Sequence, residues 1–441
     1  MMQTRSVVSP GTRPMKLLRA ASRTLRAFSS SDRTAETDAQ LESLQEVSTA
    51  ADLAALGRRS EAAPLLERAV EICSGSMGQD SALTRAAVRR LALVLYEDQR
   101  FAAVEAALTH GVSSSDCSKE LLLLSKAQLF QGNVSTAVET CCRAVDLRQQ
   151  DEDSTPDTDA LGQALRQLGA IQFLDGEEDD AETSLLRAAR LGSTSTDQGK
   201  ALAALAAFNI ALGDEQRVEE AVELLNEACD TTKGSDEAEE EPDQQGEGVS
   251  TRGRESPGDE EDGVGDGAAT ADGLARASVL CTSAQGDLNL GRGTKTASDR
   301  LGEALKIREK LLPGGHPATA WTLSLLARCH LLAGEAVTAE GLFRAALDGL
   351  QDVAEEESDD GIVRVQRPAG VIAPHVLFAS PLHPYSKAAT LQGYAELLMQ
   401  WEKREAEGEI VARQAEKLNS SLVLKPPGDL TLHMLHLDDV Y

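Results

Sequence analysis

Aromatic residues are nearly missing from this chain. Phe, Trp and Tyr together make up 3% of its 441 residues, against 41% for all apolar types. A large core must therefore be built mainly from Ala and Leu. These are strong helix formers, and β-branched runs are scarce too. Both shortages point away from sheet and towards an all-α fold. Long apolar runs are also lacking. A helix that crosses a bilayer needs roughly 18 consecutive apolar residues. The longest candidate here, residues 201–212, is interrupted by Asn209, so no membrane span is expected.

Cysteine is present but unpatterned. The seven cysteines, at positions 73, 117, 141, 142, 229, 281 and 329, include no C-x-x-C. An odd number without zinc-type spacing argues against a disulfide framework and against a metal site. Reduced, mostly buried thiols are the expectation. His433 and His436, followed by Asp438 and Asp439, have a metal-like composition. They lie near the C-terminus, where no scaffold would hold ligand geometry. Neither a G-x-S-x-G elbow nor a Walker pattern occurs. Gly291-Arg292-Gly293 falls between helical segments rather than after a strand, where a phosphate loop would need it. His316 and His383 each precede a proline and read as helix caps or spacers rather than bases. No catalytic residue, cofactor or metal is predicted, and the chain reads as a non-enzyme.

The excess of acid excludes another class. A net charge of −29 repels nucleic-acid phosphates and anionic lipid surfaces. It serves solubility, or it steers basic partners. The one place without acid is the beginning. No Asp or Glu precedes Asp32, while Arg5, Arg13, Lys16, Arg19, Arg23 and Arg26 do. Leu18, Ala21, Leu25 and Phe28 follow a three-four-three spacing, and Lys16, Arg19, Arg23 and Arg26 follow the same rhythm. A helix over this stretch would carry one apolar and one cationic stripe. That is the physical description of a mitochondrial targeting segment, and residues 1–31 are read as one. The Arg26-Ala27-Phe28-Ser29 stretch resembles a matrix-peptidase site. Matrix localisation is the expectation, with a cytoplasmic protein bearing a basic tail as the alternative.

A repeat runs through the rest. Leu121, Leu124 and Ser125 precede Gly132, and Ala137, Cys141 and Ala144 follow it. Leu165, Leu168 and Gly169 lead to Gly176, Ala181, Leu185 and Ala188. Leu202, Leu205 and Ala206 lead to Gly213, Ala221, Leu225 and Ala228. Leu323, Leu326 and Ala327 lead to Gly334, Ala339, Phe343 and Ala346. Weaker copies begin near Leu53, Val88, Cys281 and Tyr394. Each copy describes two antiparallel helices crossing at small residues around a glycine turn.

This pattern resembles the tetratricopeptide repeat over about residues 38–418. The resemblance implies a superhelical solenoid of antiparallel helix pairs that binds other proteins or extended peptide segments. The stretch from Glu303 to Leu311, with Gly315-His316-Pro317 after it, resembles the kinesin light chain type of the repeat, as does the 42-residue step from Ala297 to Ala339. The Asn pair that lines the kinesin light chain groove is replaced here by Ser324-Leu325, and no heptad coiled coil precedes the repeats.

The expected organisation is an array over 38–232, an acidic disordered linker over 233–273, kinesin light chain-like repeats over 274–350, a loop insertion over 351–382, a final helix pair over 383–418 and an irregular tail over 419–441. Residues 234–273 hold fourteen Asp or Glu against two Arg, too polar to offset ordering entropy by burial. Extended segments at 362–365 and 371–372 suggest a small hairpin. By repeat register, the first helix of each pair lines a concave groove. Lys119, Lys126, Arg166, Phe173, Lys200, Trp321, Ser324 and Arg328 should then face a bound peptide.

Overall fold

In a computed structural model, the described residues are 37, 39–55, 58–111, 118–150, 158–192, 194–213, 215–233, 266–312, 316–350 and 383–422. The targeting segment, the suggested hairpin and residues 423–441 of the tail lie outside them, while residues 419–421, expected to be irregular, continue the last helix. The described residues form helices throughout: α1 Gln45–Ala55, α2 Arg59–Met77, α3 Ala82–Glu97, α4 Phe101–Gly111, α5 Ser118–Phe130, α6 Val134–Gln150, α7 Thr158–Asp175, α8 Glu178–Leu191, α9 Ser195–Leu212, α10 Glu215–Lys233, α11 Asp266–Asn289, α12 Thr294–Leu311, α13 Pro317–Leu332, α14 Ala336–Gly349, α15 His383–Met399 and α16 Glu405–Ser421. No strand occurs among the described residues. Neighbouring helices pack pairwise along the chain, from α1 on α2 to α15 on α16. The architecture is the all-α solenoid of antiparallel helix pairs expected from the repeat.

Two kinds of helix alternate, and their sequences explain why. The second helices are amphipathic. In α8 only Ala181, Ser184, Leu185 and Ala188 are buried; in α14 only Ala339, Phe343 and Ala346. That is one stripe at i, i+3/i+4, i+7. The first helices are buried nearly all round. Every residue of α5 from Glu120 to Phe130 is buried, as is every residue of α9 from Ala201 to Asn209. Helices apolar on every face belong between other helices. First helices accordingly pack on one another in series, α5 on α7, α7 on α9, α9 on α11, α11 on α13 and α13 on α15. Gly169 shows how closely helices cross: a Cβ there would sit 2.7 Å from Leu185 Cγ and 3.1 Å from the Ala181 carbonyl oxygen.

The turns repeat one geometry. Gly132, Gly176, Gly291 and Gly334 have φ of 84°, 86°, 62° and 80°. The next residue's N–H donates to the carbonyl five positions back, as in Asn133 to Gln128 at 3.0 Å and Glu335 to His330 at 2.8 Å. This helix-ending motif requires a left-handed residue, which glycine supplies without a Cβ clash. At α13 the start is also encoded locally. His316 Nδ1 accepts the Ala318 N–H at 3.1 Å, and Pro317 stands at the first helical position. The histidine is a cap, as its place before proline suggests.

The array runs across both insertions. α11 packs on α9 and α10, and α15 packs on α13 and α14. α11 begins at Asp266, inside the segment read from sequence as linker up to residue 273. Leu274 is buried against Leu312 there, which gives the helix an apolar anchor. Tyr385 of α15 meets Phe130 of α5 at a ring separation of 6.3 Å, beside Tyr96 and Phe101. Four of the scarce aromatics thus meet where the eighth pair touches the second and third.

One prediction follows from the direct packing of α11 on α10. Deleting residues 236–262 leaves five residues between Lys233 and Asp266, within the roughly 2–8 common between packed helices. Shorter loops cost less closure entropy, about 0.6 kcal/mol per halving. The deletion should leave Tm unchanged or slightly raised in a thermal scan. A fall of many degrees would mean that this segment holds the two halves together.

Candidate functional site

The structure brings the eight predicted groove residues onto one set of helices: α5, α7, α9 and α13. Their exposure differs from an open groove. Lys126, Arg166, Phe173, Trp321 and Ser324 are buried; Lys200 and Arg328 are half-buried; Lys119 is exposed. Two of the buried set direct polar groups at neighbouring helices. Arg166 Nη1 donates to the Asp197 carbonyl at 3.3 Å, and Nη2 pairs with its carboxylate at 3.4 Å. Ser324 Oγ accepts from Thr390 Oγ1 at 2.9 Å. Phe173 packs edge-on against Phe208 at 5.2 Å. These side chains join first helices to each other. Register predicts which face they share but not that the neighbouring helix covers it.

A second set of residues forms a ladder that sequence reasoning did not single out. Four residues before each turn glycine stands a polar residue: Gln128, Gln172, Asn209, Asp287 and His330. The opposing position is three residues after the first repeat Ala of the second helix: Thr140, Ser184, Leu224, Arg300 and Leu342. Thr140 Oγ1 donates to Gln128 Oε1 at 2.8 Å, and Ser184 Oγ donates to Gln172 Oε1 at 2.8 Å. Arg300 Nη1 pairs with Asp287 at 2.6 Å. His330, opposite a leucine, instead contacts Glu335 at 2.8 Å. The signal for this ladder was available as a polar residue at constant distance from each turn glycine. It is faint because the residue types differ in every copy.

Arg300 also reaches across the insertion. Its Nη1 donates to Ser283 Oγ at 2.6 Å and its Nη2 to Asn226 Oδ1 at 2.6 Å, so α12 is tied to both α11 and α10. Burial pushes the Asp287 carboxyl above the usual aspartate range, while the Arg300 and Arg292 guanidiniums pull it back.

The described thiols offer no reactive site. Cys73, Cys141, Cys229, Cys281 and Cys329 are buried and Cys142 half-buried. Burial pushes the Cys329 thiol up to about 11, far from the thiolate that nucleophilic chemistry needs. No group of His, Cys, Asp or Glu among the described residues is arranged to hold a metal ion. No described helix is long and apolar enough to cross a membrane.

A series of helix pairs, most of whose first helices end at a left-handed glycine, with amphipathic second helices, defines a helical-repeat protein. Residues 276–352, which span most of α11 and the whole of α12 to α14, match the tetratricopeptide repeat family. Residues 276–352 are thus a tetratricopeptide-repeat segment of the array. Solved structures of similar fold include a kinesin light chain-type array of nearly identical repeats from Podosopora anserina, 17% identical, covering 56% of this chain and 100% of its own, with a TM-score of 0.35. BtubC from P. vanneervenii is 18% identical, with 70% and 98% covered and a TM-score of 0.38. A tetratricopeptide repeat protein from Parabacteroides merdae is 12% identical, with 70% and 94% covered and a TM-score of 0.41. None of the curated proteins matches the sequence. Repeats of this family serve as protein-binding scaffolds.

Proposed function

We propose that this protein is a non-catalytic scaffold in mitochondria that assists assembly or maturation of a larger protein complex. The observation that supports scaffolding is the array itself. Buried Arg166 and Ser324 spend their polar groups on holding neighbouring first helices together. The mitochondrial part rests on the acid-free amphipathic pattern of residues 1–31. Partner contact on the concave side falls to Lys119, Lys200 and Arg328, the predicted residues that solvent reaches. Cationic side chains there would make charge-assisted hydrogen bonds to a partner's carboxylates or backbone.

Two measurements test this. A fluorescent fusion of residues 1–40 should enter mitochondria; a cytosolic fusion removes the mitochondrial reading. The second reading, a cytosolic adaptor, is favoured by the kinesin light chain-type stretch from Glu303 to Ala320 and would then stand. Proximity labelling with the triple variant K119E/K200E/R328E should lose most of the partners labelled by the unaltered chain. An unchanged set of partners would show that the concave side is not where they bind.

A further inference from the structure

The polar ladder is broken at one rung. Gln128 and Gln172 each accept a hydroxyl proton from the second helix of their pair. In the next pair the acceptor is Asn209, but Leu224 stands where Thr140 and Ser184 stand in the others. Asn209 is 4% exposed, and its Oδ1 has no hydrogen-bond partner among the described residues. A buried amide oxygen left in this way is costly, and native proteins keep few such groups.

Asn209 lines a crevice, with its orphaned oxygen buried behind the surface. Glu182 and Leu186 of α8, Leu205 and Asn209 of α9, and Glu220, Glu223, Leu224 and Glu227 of α10 surround a crevice of about 270 Å³. The three leucines are buried or half-buried. Of the four carboxylates, Glu182 is held by Arg217 at 3.0 Å and Glu220 by the Gln216 amide at 3.5 Å. Glu223 and Glu227 are exposed, one turn apart, and form no ion pair among the described residues. Each of the eight lining residues is apolar, a carboxylate or the Asn209 amide.

We propose that this crevice is a docking site for an arginine side chain carried on a basic segment of a partner protein. The inference rests on the scaffold reading above and names the chemistry of one partner. The volume lies below the roughly 300 Å³ at which small-molecule pockets begin, which suits one inserted side chain. An arginine answers every feature of the crevice. Its aliphatic stem covers Leu186, Leu205 and Leu224, as long cationic side chains do on apolar surface. Its five N–H donors supply the bond Asn209 Oδ1 lacks and meet Glu223 and Glu227 in the fork geometry that carboxylates prefer. The net charge of −29 would speed encounter with a basic partner. The leucine floor disfavours a bare cation, which would be held from one side only.

The test is a titration of the full chain with a fluorescein-labelled peptide bearing two arginines among leucines, followed by anisotropy. The control peptide has glutamates for the arginines. Asn209→Leu leaves net charge unchanged, so it separates the crevice from general attraction. It should weaken binding about tenfold or more without lowering Tm, because it removes an unsatisfied group. Glu223→Gln/Glu227→Gln should also weaken binding. The charge-matched pair Glu67→Gln/Glu71→Gln, exposed on α2, should not. Asn209→Leu within about twofold of the unaltered chain, or an equal loss in the α2 pair, overturns the proposal. So does a fall in Tm for Asn209→Leu, which would show the amide to be structural, held by bound water. None of these outcomes touches the K119E/K200E/R328E result, so the scaffold reading stands or falls separately.

Discussion

Replacing Arg300 with Met should destabilise the array by about 3 kcal/mol and split its unfolding into two steps. Breaking a buried ion pair from one side typically costs about 3–5 kcal/mol, because the remaining charge loses its partner. Arg300 and Asp287 are 15% and 12% exposed, so solvent relieves part of that cost and the low end applies. The loss is not confined to Asp287. Ser283 and Asn226 lose their donor as well, and Asn226 lies on α10, before the insertion. In a solenoid, stability is a sum of local terms between neighbours, so a weakened joint lets the two sides melt separately. The sign of the pH dependence follows from Asp287. Burial raises its pKa above the ordinary value, and without Arg300 it should rise further. A carboxylate whose folded pKa is raised favours the fold when protonated. The gap in stability between Arg300→Met and the unaltered chain should therefore be widest at neutral pH and narrow on acidification. Comparing the two chains at each pH cancels the other carboxylates. Adding Asp287→Asn to Arg300→Met should recover part of the loss in a double-mutant cycle. Urea unfolding that stays a single transition, with a loss under about 1 kcal/mol, would show that Arg300 does not join the halves.

The second large effect is expected at the other end. Phe343→Ala should cost about 3–5 kcal/mol, the usual range for emptying a buried phenylalanine site. The ring is 0% exposed. It shares a cluster with Ala327, Ala339, Tyr394, Leu397 and Leu398. A Cβ on Gly393 would lie 3.0 Å from Phe343 Cζ, so the ring seats directly on the α15 backbone. That cluster joins α13 and α14 to α15, so its loss should free the last pair. α16 cannot compensate, since only Gly408 and Ala415 are buried along it. Most of its remaining surface is polar, with Ile410 the exposed apolar exception. Hydrogen exchange should rise over residues 383–421 and stay constant over α6 to α10. A uniform rise along the whole chain would refute this local picture.

Much of the fold was legible without coordinates. The Ala181, Leu185 and Ala188 stripe and its counterparts are an amphipathic period that any helical neighbour would bury. Gly132, Gly176 and Gly334 mark turns because the helix ending there needs a left-handed residue. The candidate site was read less well. Lys126 and Arg166 were placed on the correct helices, yet their burial depends on how closely α5, α7 and α9 approach one another. The start of α11 was read as linker because Gly, Ala and Asp dominate 266–273. Leu274 and Leu312, far apart in sequence, supply the contact that anchors it.

Local pattern alone determined that this chain would be a series of helix pairs, because helix period, turn glycines and small crossing residues are properties of neighbours in sequence. Tertiary packing decided which of their polar groups remain available. Whether a side chain is spent or orphaned depends on the residue facing it from another helix. Leu224 faces Asn209 where Thr140 faces Gln128, and only their meeting in space turns that exchange into an unfilled site.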